Sequence, residues 1–212
     1  MLWQDFRNDR PFNLDPNIAA VFAREYMSHG RFDFSEANQL ISNFKKTVDR
    51  KGKYEWKYKE RAIRQFAEEL TNLLSGFDGT ETIFLSHVPT SKHLDDPEYD
   101  NRFEATLSRV ESNLDFIQCI APITRTETVI AAHQSGGNRP TIEEHLRTLA
   151  WTGDRTLAGT LILVDDVITA GNSFSACQRL INTNAPRLGL AGVFWTKTVW
   201  ADVADMFDVI DP

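Results

Sequence analysis

Apolar residues in the first third of the chain recur at helical spacing, and from residue 80 onward they gather into short unbroken runs. Ile18, Val21, Phe22 and Tyr26 predict a helix over 15–29, with Pro16 suited to its first turn. Ala37, Leu40, Ile41, Phe44 and Val48 predict a second helix, capped by Ser35 and broken at Lys51-Gly52-Lys53. Ile63, Phe66, Leu70, Leu73 and Leu74 share one face of a third helix over 56–74, which Gly76 and Gly79 end.

The later runs predict strands over 82–88, 114–120, 160–164 and 189–195, with a further one over 207–210. Helical patterns lie between them over 99–113, 126–134, 141–151 and 173–181, and a Gly-Gly-Asn loop separates the second of these from the third. Apolar strands alternating with helices predict an α/β fold, a parallel sheet of about five strands flanked by helices. The pattern divides the chain into an N-terminal helical extension, 1–55, and an α/β domain, 56–212. In such sheets ligands bind at the carboxyl ends of the strands.

Composition changes this picture little. The 25% of charged and 42% of hydrophobic residues are those of a soluble globular protein. No apolar run approaches the roughly 20 residues that cross a bilayer, and the first ten residues have no apolar core of a secretory signal. Cys119 and Cys177 sit in apolar segments, which predicts buried, reduced thiols and a cytoplasmic protein. A net charge of −7 gives no general attraction to nucleic acid, which is not expected as a partner, although a local basic patch is compatible with it.

Candidate chemistry concentrates in one stretch. Leu161-Ile162-Leu163-Val164 runs into Asp165-Asp166, followed by Val167-Ile168-Thr169-Ala170-Gly171-Asn172-Ser173. Two carboxylates can hold a polyol through its hydroxyls, and a small-residue loop opening a helix can hold a phosphate through backbone N–H groups. The bland alternative is an ordinary strand-to-helix turn with a capping Ser. A receiver-type Val-Asp-Asp site is excluded by length, because only 46 residues follow Asp166.

The stretch resembles the signature of the type I phosphoribosyltransferases: a hydrophobic strand, two acids, two mostly apolar residues, Thr-Thr-Gly or Thr-Ala-Gly, and a small hydroxyl residue. The resemblance covers about fifteen residues. It implies that Asp165 and Asp166 hold the ribose hydroxyls of phosphoribosyl pyrophosphate, and that Thr169, Ala170, Gly171, Asn172 and Ser173 wrap the 5′-phosphate, with Ser173 also capping the helix. Mg2+ would arrive with phosphoribosyl pyrophosphate. Thr169 stands where the purine-salvage branch has an Asp that serves as base. After the first predicted strand, Thr90, Ser91 and Lys92 are similar to a pyrophosphate loop.

Arg102-Phe103-Glu104-Ala105 resembles an element of the competence-associated, amidophosphoribosyltransferase-like proteins, in which an Arg, a Gln and a second Arg follow. Arg125, Gln134 and Arg139 fall in that order, so Arg102, Arg125 and Arg139 are candidates to neutralise a departing pyrophosphate. The implied function is binding of phosphoribosyl pyrophosphate or a nucleotide, with transfer to a nitrogen acceptor. The alternatives are a non-catalytic sensor, or a subunit that docks a second copy or another protein through its N-terminal helices. Trp195 reads as core, and His87 and His133 as isolated structural residues.

Overall fold

The computed structural model describes residues 2–6, 9–28, 30–129 and 140–200. Its centre is a six-stranded sheet in the order β1-β2-β8-β7-β3-β4. The strands are β1 (Gln4–Asp5), β2 (Ala19–Met27), β3 (Ile83–His87), β4 (Ile117–Cys119), β7 (Gly159–Ile168) and β8 (Leu188–Val199). All neighbours pair in parallel except β1, which runs antiparallel to β2. A separate antiparallel pair, β5 (Ile123–Arg125) and β6 (Leu149–Trp151), lies outside this sheet.

Helices cover both faces. One apolar core joins α1 (Glu36–Phe44), α2 (Trp56–Leu74) and α3 (Arg102–Glu111) to Ile162, Val164, Val193 and Trp195. The other joins α5 (Asn172–Asn184) to Leu161, Leu163 and Phe194, with Ile142 and Leu146 of α4 (Ile142–Arg147) packed against it. Consecutive residues of β7 and β8 thus serve opposite cores, as the two-residue period of a strand requires. Trp195 is fully buried, stacks on Phe66 at 4.5 Å between ring centroids, and donates its indole N–H to Glu69.

The α/β class, the parallel sheet and α2 follow the sequence pattern, and Ser35 accepts from the Asn38 backbone N–H as the cap of α1. The helix expected over 15–29 is corrected: residues 19–27 form β2, inserted between β1 and β8. Ala20 and Phe22 belong to one core while Ala23 and Val21 meet the other, so the segment is apolar on both faces and shows no strand alternation. Residues 1–55 are therefore not a helical extension, because the central sheet takes strands from both sides of residue 55. Docking through N-terminal helices loses its basis over 19–27.

Other boundaries shift too. Residues 126–129 are not helical, and the helix expected over 141–151 is α4 followed by β6. Ile123, Thr124 and Arg125 lack the length to be read as a strand until β6 pairs with them. The strand expected over 207–210 lies outside the described residues.

Candidate functional site

The chain passes from β3 outward to β4, then returns to place β7 on the other side of β3. This reversal opens a crevice between the carboxyl ends of β3 and β7, the usual ligand position in open parallel sheets. Pairing of β7 with β3 ends at Val164, whereas pairing with β8 continues to Ile168. Asp165 and Asp166 are the first residues of β7 beyond that last pairing with β3. They are not at the strand's own end, as the sequence pattern suggested, but two residues inside it.

Because both lie in a strand, they point to opposite faces. Asp166 faces the core of α1, α2 and α3, where Lys45 meets Oδ1 at 2.9 Å and Arg102 meets Oδ2 at 3.2 Å. Arg102 also donates to Asp100 at 2.9 Å, and Asp100 accepts from buried Lys59 at 2.7 Å. Lys59 in turn donates to the Phe44 and Lys46 carbonyls, closing the end of α1. Burial raises the Asp166 carboxyl, but Lys45 and Arg102 outweigh it and hold it below the usual carboxylate range. Asp165 has no ion pair among the described residues, and its Oδ1 accepts from the Asp166 backbone N–H at 2.8 Å. Burial, and then the neighbouring Asp166 charge, push its pKa up.

The loop after β7 is held largely by the chain's own N-terminal segment. Asn13 N donates to the Ala170 carbonyl at 2.9 Å, its side chain donates to Asn172, and Ser175 donates to the Asn13 carbonyl. Gly171 has φ +89, and a Cβ there would meet Leu14 N at 3.2 Å. The glycine thus serves the left-handed turn and the close approach of residues 13–14. Gly171, not Ser173, is the N-cap of α5, and it supplies no side-chain oxygen to the first turn. The open end of this 13-residue helix is suited to an anion. Ser173 sits beside it, 3.1 Å from His145 Nε2, and Thr169 meets Thr198 at 3.0 Å. Burial, then Arg125, push His145 down to about 4, so its ring is neutral near pH 7.

The loop after β3 is fixed by Arg125. Its Nε donates to the Thr90 carbonyl at 2.9 Å, Nη2 to the Pro89 carbonyl at 3.3 Å, and Nη1 to Thr148 Oγ1 at 2.5 Å. The guanidinium expected at a diphosphate here holds the loop after β3. Lys92 turns to Glu98 at 2.6 Å and Asp96 at 3.6 Å, and Ser91 accepts from the Val129 N–H through its carbonyl. The buried Thr90 Oγ1 and Arg102 Nε have no hydrogen-bond partner among the described residues. Arg139 and Gln134 lie outside the described residues.

No protein-family model matches the sequence, and no curated protein matches it. Among solved structures, a crystal structure of adenine phosphoribosyltransferase from Leishmania tarentolae is similar at 8% identity, with a TM-score of 0.43. The match covers 87% of this chain and 93% of that one.

Lys45, Asp100 and His145 belong to the site region and carry no sequence signal. Lys45 and Asp166 are brought together across more than half the chain, with α1 packed on α2 and β2. His87 is satisfied, with Nδ1 on the Val88 carbonyl at 3.0 Å, Nε2 3.5 Å from Glu104, and its ring stacked on Phe103. Tyr99 also donates to Glu104, whose carboxyl is held down to about 2 by hydrogen bonds from His87 and Tyr99 that outweigh its burial. Burial pushes both thiols, Cys119 and Cys177, up to about 12, which makes them unreactive. Among the described residues no helix is long and apolar enough to cross a membrane.

Proposed function

We propose that this chain is a phosphoribosyltransferase-like protein. It binds phosphoribosyl pyrophosphate with Mg2+, or a nucleotide containing ribose 5-phosphate, and transfers the phosphoribosyl group to a nitrogen acceptor. The observation that carries this reading is the position of segment 165–173. Its acids stand at the β3–β7 crevice, and its loop leads directly into the uncapped start of α5.

In this reading the 5′-phosphate lies against α5 and Ser173, and Asp165 accepts from the ribose hydroxyls. Asp166 adds fixed negative charge below the ring and keeps Arg102 and Lys45 at the crevice. The C1′–O bond breaks with its electron pair leaving on pyrophosphate, and the acceptor nitrogen forms the C1′–N bond and passes its proton to water or to the released pyrophosphate. Among the described residues no three His, Cys, Asp or Glu side chains gather as a metal cage. The donor set fits Mg2+ only as an ion carried on diphosphate oxygens, with Asp165 as its protein ligand. Bound in that way, the ion would neutralise charge on the departing diphosphate.

A second reading, a sensor that binds without turnover, is favoured by one specific observation. Arg102 and Arg125 are both already engaged by protein groups. Calorimetry with phosphoribosyl pyrophosphate and Mg2+, followed by pyrophosphate release across a panel of nucleobases and amines, separates the two. Binding with release supports the transferase, and binding without release supports the sensor. Absence of binding, or binding unaffected by Asp165→Asn, removes both.

A further inference from the structure

The overall charge of the chain hides a strong local imbalance. Residues 45–64 contain nine of the 23 Lys and Arg against three acids, so the rest of the chain is far more acidic than its net −7 suggests. Three of these cations, Lys57, Arg61 and Arg64, lie on the outer side of α2. Lys57, Arg61 and Arg64 recur at i, i+4 and i+7, which places them along one face over roughly 10 Å of helix. None of the three forms an ion pair among the described residues. Lys59, by contrast, points inward to Asp100, and Arg50 and Lys53 are met by Asp49 and Glu55.

Two aromatic rings accompany the charges. Tyr54 is 76% exposed and contributes to neither apolar core. Lys57 Nζ lies 3.5 Å from the Tyr54 ring centroid and 5.1 Å from that of Tyr58, and the Arg61 guanidinium lies 5.9 Å from Tyr58. At the other end of the stripe, Arg64 and Arg109 flank a cavity of about 480 Å3 between α2 and α3. Glu68 also lines that cavity and bounds the basic face there.

A solvated helix face needs neither the crowding of like charge nor the exposed rings. Lys57 and Arg61 are like charges at i, i+4; exposed Glu60, at i+3 from Lys57 and i, i+4 to Arg64, offsets part of that repulsion, and an anionic partner offsets the rest. A polyanion alone would be satisfied by the cations. The exposed Tyr54 ring, with Lys57 over one face, and the half-buried Tyr58 ring at its edge add the one element that suits an unpaired base, which stacks on an aromatic face while its phosphates meet Lys and Arg.

We propose that Tyr54, Lys57, Tyr58, Arg61 and Arg64 form a binding surface for single-stranded nucleic acid. The surface is separate from the crevice at Asp165 and stands whether or not that crevice binds phosphoribosyl pyrophosphate. Strand bases stack on Tyr54 and Tyr58, and the backbone runs along the basic face of α2 toward Arg109. The acidic remainder of the molecule repels the strand elsewhere and so confines it to this face.

The test is fluorescence anisotropy of the full chain with a labelled 20-nucleotide oligo-U RNA and the matching oligo-dT, from about 50 to 200 mM KCl. Saturable binding is expected, with the logarithm of affinity falling against log salt with a slope of about −2, the value for three phosphate contacts on a single strand. The triple variant K57E/R61E/R64E should lose at least about tenfold in affinity and most of the salt slope. Tyr54→Ala should weaken binding by about tenfold and leave the slope in place. These side chains are exposed or half-buried, and unchanged thermal melts of the variants show that the fold persists. No binding at 50 mM salt, or undiminished binding by the triple variant, overturns the proposal. Duplex DNA or heparin bound as tightly as the single strands, with no effect of Tyr54→Ala, overturns the single-strand assignment. RNA bound more tightly than DNA, or the reverse, supports it and names the preferred strand.

Discussion

Arg102 joins Asp166 to Asp100 across the crevice: Nη2 lies 3.2 Å from Asp166 Oδ2 and Nη1 lies 2.9 Å from Asp100 Oδ2, while its buried Nε meets no partner among the described residues. One guanidinium thus ties the start of α3 to the central strand.

Breaking this pair from one side leaves the other charge buried. Asp166→Ala is expected to lower unfolding free energy by about 3–5 kcal/mol, because Arg102 and Lys45 lose their shared carboxylate. The double variant D166A/R102M should cost less than the sum of the single changes. Urea denaturation of the four proteins in the cycle measures the coupling, and additive losses would mean that the two groups do not interact.

The two adjacent acids titrate in opposite directions. Asp165 is raised above its unfolded value, so on increasing pH the unfolded chain releases this proton first and the folded chain retains it. Its contribution is fully present below the ordinary carboxylate range and is lost as pH rises toward the raised pKa. The stability of wild type relative to Asp165→Asn should therefore fall from about pH 4.5 to pH 8. Asp166 is lowered, and its contribution is lost as pH falls below the ordinary range. Urea midpoints at several pH values test both, and a pH-independent difference for Asp165→Asn would mean that Asp165 is ionised throughout.

Arg125 should act on loop shape rather than on a diphosphate. Arg125→Met leaves the Pro89 and Thr90 carbonyls and Thr148 without their donor. The expected loss is about 2–4 kcal/mol, with faster amide exchange over 88–92. If amide exchange there is unchanged while ligand affinity collapses, Arg125 reaches the ligand directly and the loop-shaping role is wrong.

Gly171 combines a left-handed backbone with a tight contact to residues 13–14. Gly171→Ala should cost about 1–3 kcal/mol, more than the usual Gly-to-Ala change, because both the φ and the Leu14 contact resist a methyl group. Limited proteolysis should show earlier cutting within residues 11–18 in the variant. Wild-type cleavage kinetics would show that the segment does not depend on this contact.

Much of the architecture could be read directly from pattern. Helix α2 has a continuous apolar face, and its limits match the pattern because Phe66, Leu70 and Leu74 all enter one core. The strand leading to Asp165 is unbroken and apolar, as a strand covered on both faces must be. β2 was hidden for the same reason. With apolar residues on both faces, Ala19 to Ala23 fits a helix or a strand equally, and only the partner β8 decides between them.

The candidate site divides along similar lines. Local chemistry alone determined segment 165–173, since acids, glycine and hydroxyls adjacent in sequence stay adjacent in any fold. Tertiary packing decided what those groups meet: Lys45 and Arg102 for Asp166, residues 13–14 for Gly171, and His145 for Ser173. It also decided the partners of two candidate ligand residues, the Thr90 carbonyl for Arg125 and Glu98 for Lys92. A side chain's type fixes what it can bond, but its partner is whichever group the packed chain brings within about 3 Å.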